Sequence, residues 1–303
     1  MTKEVADMNN RLSVVLLIFI ITLAGCASAG EGVDEVDPEE TPLEGRRIVS
    51  LMPSNTEIIA ELGLGTNLVA VTTEASHPES VVENDEIVKM DVFELDEEQL
   101  IALEPTHILG HESSVSQYAE TLDRVSETTG AEVLIVNEER AIEEIYASIT
   151  AIGEFLGERT AAEWLIEDIE RDINVQNNIF EDRSDSYEVF IHISDQPELY
   201  TAGSGTFIED ALAEIYIDNA FGDLEGYPNV SPEDVIERDP DKLVSIMGLE
   251  DAELSESIDG MPGFSELAIS QPENQCNIPP DLLARPGPRI AEGLRAVGRC
   301  VYD

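Results

Sequence analysis

The side chains that could do chemistry in this chain are few. Four histidines (His77, His107, His111 and His192) and three cysteines (Cys26, Cys276 and Cys300) stand among 303 residues, and their spacing limits what they can do. His107 and His111 are four apart, which would bring them together on a helix. Behind Pro105, in an apolar run, they read instead as strand residues, where four positions span ~13 Å and two imidazoles cannot share one ion. His192 sits inside an apolar strand pattern and reads as core. His77, before Pro78 in a turn, and His111, just past the end of its strand, are the two that could face a cleft. There is no Cys-x-x-Cys pair, so neither a cysteine zinc site nor a thioredoxin-like centre is expected, and no metal is. A Gly-x-Ser-x-Gly elbow and a P-loop are also absent. Gly203-Ser204-Gly205-Thr206-Phe207 comes closest to a dinucleotide loop but lacks the third glycine. It reads either as a structural turn or as a turn into a helix N-terminus that receives a polar ligand edge. No activated nucleophile or metal cluster is present, so no catalytic residue and no catalytic cofactor are expected; an α/β hydrolase is the distant alternative.

Alternating short apolar runs and helical patterns must position these residues. Strands are expected at Arg47 to Leu51, Leu68 to Thr72, Ile87 to Met90, His107 to Leu109 and Val133 to Val136. Helices fall between them: one opened by a capping box at Ser54-Asn55-Thr56-Glu57 and ending near Gly63, then Glu97 to Glu104 and Ser116 to Thr129. A helical stretch from Ile142 to about Phe180, interrupted around Gly153 to Thr160, follows; Trp164, Leu165 and Ile169 sit at helical spacing and read as core. The rhythm then resumes with a strand at Glu188 to Ile193, a helix opened by Thr206 to Glu209, and a strand at Leu243 to Met247. This pattern predicts an α/β fold of two pseudo-symmetric lobes with mostly parallel sheets joined by one long rigid helix. The lobes take residues 46–139 and 184–303, with the helical segment at 140–183. One pattern occurs twice: Leu95 to Leu109 matches Val230 to Val244 in character, each with an N-cap residue, a short helix, an acid before proline and a strand. Glu98 and Glu233 therefore fall at equivalent positions in the first turns of matching helices, where acids are also favoured by the helix dipole.

Ligands of parallel α/β sheets bind beyond the carboxyl ends of the strands. Those ends here carry Pro53-Ser54-Asn55, Thr73 to Pro78, His111-Glu112 and Tyr200 to Gly203. Phe93, Tyr200, Phe207 and Tyr227 lie in or beside such loops and suit a flat, partly apolar ligand held between the lobes.

With 65 acidic against 16 basic residues the net charge is −49, and only Lys3, Lys89 and Lys242 are lysines. Nucleic acid is excluded as a partner, since phosphate backbones are bound by cations. So acidic a surface suggests a halophilic source, where the Debye length falls to ~3 Å and recognition works by contact. Residues Leu12 to Ala24 form an uncharged apolar run behind Lys3 and Arg11, short for a bilayer span and suited to a signal peptide over residues 1–25. It ends in Leu23-Ala24-Gly25-Cys26, which resembles the lipobox of secreted lipoproteins; an ordinary cleaved signal is the alternative. Cys26 is then the lipidation site, residues 26–45 an acidic disordered tether, and the protein an extracytoplasmic one held at the outer face of the cell membrane. Cys276 and Cys300 remain, as a disulfide or as two buried thiols.

Several segments in order resemble the cobalamin-binding proteins of ABC importers (the BtuF type), within the wider class of binding proteins for corrinoids, haem and ferric siderophores. They are Arg47 to Glu57 (RIVSLMPSNTE), Tyr200 to Ile208 (YTAGSGTFI), Gly226 to Glu233 (GYPNVSPE) and Arg285 to Arg289 (RPGPR), and the resemblance runs from about Arg46 to Val297. It implies a monomeric binding protein that captures a corrinoid such as cobalamin or cobinamide between its lobes and delivers it to an ABC permease dimer with its cytoplasmic ATPase. Haem or a ferric siderophore is the alternative cargo, and a lipoprotein of purely structural role a further one. The resemblance places Tyr200 and Tyr227 at aromatic positions of the pocket, His111 where an aromatic can stand, and Glu98 and Glu233 where glutamates pair with permease arginines. Glu74 stands where an aromatic contact can occur, and no tryptophan lies near Val92 and Phe93. The expected ligand-binding set is Ser54, Asn55, Glu74, His77, Phe93, His111, Tyr200, Gly203, Ser204, Tyr227 and Arg285.

Overall fold

A computed structural model describes residues 45–181, 183 and 186–303. The leader, Cys26 and the tether up to residue 44 lie outside the described residues. The first lobe runs β1 (Ile48–Ser50), α1 (Pro53–Ile59), β2 (Leu68–Thr72), α2 (Glu79–Val82), β3 (Val88–Met90), α3 (Glu97–Ala102), β4 (His107–His111), α4 (Glu112–Thr129) and β5 (Glu132–Val136). Its five strands form one parallel sheet in the order β3-β2-β1-β4-β5. Two helices follow, α5 (Ile142–Phe155) and α6 (Arg159–Phe180), broken only at residues 156–158. The second lobe runs β6 (Glu188–His192), β7 (Leu199–Tyr200), α7 (Phe207–Ala213), β8 (Asp218–Asn219), β9 (Asn229–Val230), α8 (Pro232–Arg238), β10 (Lys242–Ser245), α9 (Asp251–Gly260), β11 (Gln275–Asn277), α10 (Pro280–Leu283) and α11 (Ile290–Tyr302). Its parallel sheet has the order β11-β10-β6-β8, while β7 and β9 pair antiparallel above it. The two orders superpose as β6 on β1, β8 on β2, β10 on β4 and β11 on β5, so the second lobe repeats the first without a counterpart of β3.

Strand alternation distributes the core. Val49, Ala70 and Ile108 point to one face of the first sheet, into a cluster closed by α4 through Leu122 and Val125. Phe190 and Leu243 do the same in the second lobe, meeting Phe221, Ile258 and Phe264. Their neighbours Ile48, Leu109, Ile191 and Val244 point the other way and join one continuous core with Ile145, Ile149, Ile169 and Ile173 of α5 and α6 and Leu294 of α11. Both sheets are thus packed on the same helical layer. The 22-residue α6 extends ~33 Å along it, and α5 is fastened to the second lobe where Ile142 N donates to Asp210 Oδ2 at 2.9 Å.

The internal repeat is visible in the backbone. Asp96 and Ser231 cap α3 and α8, and Glu104 and Asp239, the acids before Pro105 and Pro240, share a left-handed φ of 46°. Other expectations are corrected. Ser54 does not cap α1: the helix starts one residue earlier at Pro53, whose fixed φ suits a first helical position, and Met52 is its N-cap without a side-chain bond. Ser54 to Glu57 are consequently interior, buried residues. Trp164 is not core but 66% exposed. The buried face of α6 is set by Ala162, Ile169, Ile173 and Phe180, and Trp164, two residues after Ala162, lies ~200° around the helix from it. β4 continues through His111, and α4 begins directly after it.

Candidate ligand cleft and docking face

The strand ends of the two lobes are joined at their floor by a cluster that begins with Glu57 on α1. This carboxylate is 2% exposed and takes both arms of Arg289, at 2.8 Å from Nε and 2.7 Å from Nη2, in the parallel two-bond geometry that arginine and carboxylate share. Hydrogen bonding to Glu57 raises the Arg289 guanidinium above its already high range. Arg285 stands 3.8 Å from the same carboxylate, pairs with Asp281 at 2.9 Å, and donates to Ser76 Oγ at 2.6 Å and to the Glu74 carbonyl at 2.9 Å. Arg285, expected as a ligand contact, is therefore a clasp between lobes, and Glu74 contributes its carbonyl to it while its residue stays exposed. Sequence reasoning marked Glu57 only as a capping partner and missed its true one, which lies 232 positions away.

Beside the clasp, Ser54 and Asn55 are each 1% exposed. Asn55 Nδ2 donates to the Gly110 carbonyl at 3.1 Å, whereas Asn55 Oδ1, Ser54 Oγ and, in the second lobe, Thr201 Oγ1 have no hydrogen-bond partner. Gly287 comes close to Ser54; a Cβ there would stand 3.7 Å from that of the serine.

His111 is the clearest departure. As the last residue of β4 it is 2% exposed and faces no cleft. The Ser113 N–H donates to its Nδ1 at 3.2 Å, capping α4, with Ser113 Oγ 2.8 Å from the same nitrogen. That leaves the proton on Nε2, which donates to Glu139 Oε2 at 3.1 Å; Glu139 in turn accepts from Ser148 Oγ at 2.6 Å. Both ring nitrogens are committed inside the lobe. His77 is half-buried in its loop. Gly203 and Ser204 also turn inward: their N–H groups donate to Gly226 O at 2.8 Å and Leu224 O at 2.6 Å. A Cβ on Gly203 would lie 2.1 Å from Leu224 O, so the glycine is needed for this close approach, and the amides of Gly203 and Ser204 are both spent on the turn.

Two exposed aromatics lie in loops beside the strand ends, one in each lobe, while Trp164 and Tyr216 are exposed on α6 and just after α7. Phe93, in the loop between β3 and α3, is 67% exposed, and Tyr227, ahead of β9, is 48% exposed. The protein packed around the Tyr227 hydroxyl raises its phenol to about 12, and the Glu138 carboxylate of the first lobe adds to the effect. Tyr200 is half-buried with its hydroxyl 3.3 Å from Glu198 Oε2, and Phe207 is core. Glu98 and Glu233 are exposed, each the second residue of its helix, α3 and α8. Cys276 and Cys300 are joined in a disulfide that ties β11 to α11. Among the described residues no group of three or more histidines, cysteines or carboxylates could hold a metal ion, and no helix is long and apolar enough to cross a membrane.

Comparison with known proteins places this geometry. The periplasmic binding protein family matches residues 48–268. An ABC transporter substrate-binding lipoprotein of Bacillus subtilis, YvrC, is 32% identical over 95% of both chains. A vitamin B12-binding protein of Yersinia pseudotuberculosis is 26% identical over 77% of this chain and 75% of its own. Among solved structures, a possible iron-binding (periplasmic solute-binding) protein from Staphylococcus epidermidis is 32% identical with a TM-score of 0.78, covering 85% of this chain and 99% of that one. A periplasmic haem-binding protein from Pseudomonas aeruginosa is 25% identical with a TM-score of 0.74 over 85% and 92% of the respective chains.

Proposed function

The chain belongs to the periplasmic binding protein family, as a substrate-binding component of an ABC importer, and from that premise we propose that its cargo is a corrinoid, carried between the lobes at the outer face of the membrane. Lipid on Cys26 provides the tether in this reading, and Glu98 and Glu233 meet arginines of the two-fold permease.

The observation that carries the cargo assignment is the charge inventory of the cleft. Both arginines at its floor are neutralised, Arg289 by Glu57 and Arg285 by Asp281, while Glu74, Glu138 and Glu198 on the surrounding loops are exposed. Haem carries two propionates, and catecholate and citrate-type ferric siderophores are anionic; such ligands are met best by free guanidinium groups, as in carboxylate recognition elsewhere. A corrin ring is flat and apolar on its faces and bears primary amides on its rim, which donate hydrogen bonds without charge. Phe93 and Tyr227 suit the faces, and acceptors of the kind left open at Asn55 Oδ1 suit the amides. Haem would take an axial ligand from a histidine or tyrosine of the cleft; of these, Tyr227 is disfavoured, because a phenol raised to about 12 resists forming the phenolate that such a bond needs.

Calorimetry and absorbance spectra with cobalamin, cobinamide, haem and a ferric siderophore, each in molar KCl, test the assignment. One corrinoid per monomer is expected, weakened at least tenfold in the Phe93→Ala, Tyr227→Ala double variant. Haem or siderophore binding without corrinoid binding would replace the cargo.

A further inference from the structure

On the side of the molecule formed by α6 and α11, the two helices approach so closely that a Cβ on Gly298 would stand 2.3 Å from the Phe180 ring. Their outer surfaces enclose a groove of about 380 Å³ lined by Gln176, Arg183, Arg295 and Arg299, together with Asp172 and Asp303. Three arginines in one groove run against the composition of a chain with 65 acidic and 16 basic residues. Arg183 is occupied, 3.1 Å from Asp303 Oδ1 and donating to the Tyr302 carbonyl at 3.1 Å. Asp172 lies 3.6 Å from Arg171 Nε. Arg295 and Arg299, one helical turn apart on α11, have neither a carboxylate nor a carbonyl partner among the described residues. Each of the other described arginines has one or the other.

Gln176 supplies an independent observation. It is 4% exposed, it lines the groove, and its Oε1 has no hydrogen-bond partner. A buried carbonyl oxygen without a donor is costly, and the arginines beside it call for an anion. One ligand meets both needs only if it carries an oxyanion and a hydrogen-bond donor together.

We propose that this groove is a binding site for a phosphate that bears a hydroxyl hydrogen, the two free guanidinium groups of Arg295 and Arg299 holding the oxyanion and Gln176 Oε1 accepting from the O–H. Phosphate at neutral pH has such a hydrogen and sulfate does not, so the site distinguishes two anions of the same shape. The groove is flanked by Val175 and Ile179, 48% and 52% exposed, which leaves an apolar wall for a substituent on the phosphate. Two sources share this chemistry: a soluble phosphate or phosphomonoester, and the phosphomonoester headgroup of phosphatidic acid in a membrane. The site is separate from the cargo cleft and does not depend on what the cleft holds.

Calorimetry of the full-length protein in detergent, with inorganic phosphate and sulfate compared at fixed ionic strength, is the test. Phosphate is expected to bind at least tenfold more tightly than sulfate. The Arg295→Ala, Arg299→Ala double variant should lose both, and Gln176→Leu should reduce phosphate to the level of sulfate, with circular dichroism confirming that each variant is folded. A second arm uses the full chain carrying Cys26→Ser, sedimented with phosphatidic acid or phosphatidylcholine vesicles. Binding to phosphatidic acid that the double arginine variant loses assigns the lipid headgroup; phosphate heat without vesicle binding assigns the soluble ligand. Equal affinity for phosphate and sulfate, or the absence of both phosphate heat and arginine-dependent vesicle binding, overturns the proposal.

Discussion

His192 is completely buried on β6, stacked on Phe190 with ring centroids 5.9 Å apart, and neither ring nitrogen has a hydrogen-bond partner. Burial disfavours the imidazolium and lowers its pKa from 6.5 to about 4, with Asp195 pulling weakly the other way. The sign of the consequence follows from proton binding. As the pH falls through 6.5 the unfolded chain takes up a proton that the native state refuses, so the contribution is complete above that pH and is lost progressively towards pH 4. The loss amounts to about 3 kcal/mol. Denaturant unfolding at pH 7 and pH 4.5 should therefore show a smaller acid loss in His192→Phe than in the wild type, by about 2 kcal/mol. Equal losses in the two proteins would show that the wild-type ring is not held neutral by its burial. The comparison isolates the imidazole, because the many carboxylates titrate alike in both proteins.

Helices α3 and α8 show what a local signal can carry. Their caps and acid-proline exits were readable from the local sequence, because capping and proline geometry act within a few residues, although α3 stops at Ala102, two residues short of the expected Glu104. Even the shared φ of 46° at Glu104 and Asp239 sits where the repeated pattern placed an acid before proline. The start of α1 was legible locally in Pro53, but the Ser54 capping pattern was read in its place. Elements whose position depends on distant partners were not readable: the rotation of α6 that exposes Trp164 is decided by α5 and α11. His111 was misplaced for a related reason, since its strand is lengthened by pairing with β5 through Val136. The equivalence of α3 and α8 leads to a prediction at this scale. If Glu98 and Glu233 dock on a two-fold permease, reversing both to Arg should abolish uptake and leave cargo affinity unchanged, whereas reversing the exposed Glu167 and Glu170 of α6 should leave uptake intact. Uptake assays at matched expression check this; wild-type transport by the Glu98→Arg, Glu233→Arg variant would remove the docking role.

For the whole molecule, the shared helical core and the clasp of Glu57, Arg285 and Arg289 set how the lobes stand to each other. Removing one partner from a buried ion pair costs more than the pair itself contributes. Glu57→Gln strands the Arg289 guanidinium and should destabilise the protein by about 3 kcal/mol, a fall in melting temperature of about 6–12 °C for a chain of this size. Glu57→Leu combined with Arg289→Met should restore a large part of it. Thermal unfolding of the three proteins decides the point, and a Glu57→Gln variant that melts with the wild type would reduce the clasp to a surface contact. The clasp also fixes an order of events during synthesis. The last strand ends at Asn277, and Asp281, Arg285 and Arg289 all follow it, so every strand of both sheets has left the ribosome before the residues that lock one lobe to the other. Helix α11 follows as well, supplying Leu294 to the shared core and Cys300 to the disulfide with Cys276, so a product cut short after β11 would lose the clasp, the helix that closes the core and the covalent tie to the sheet together.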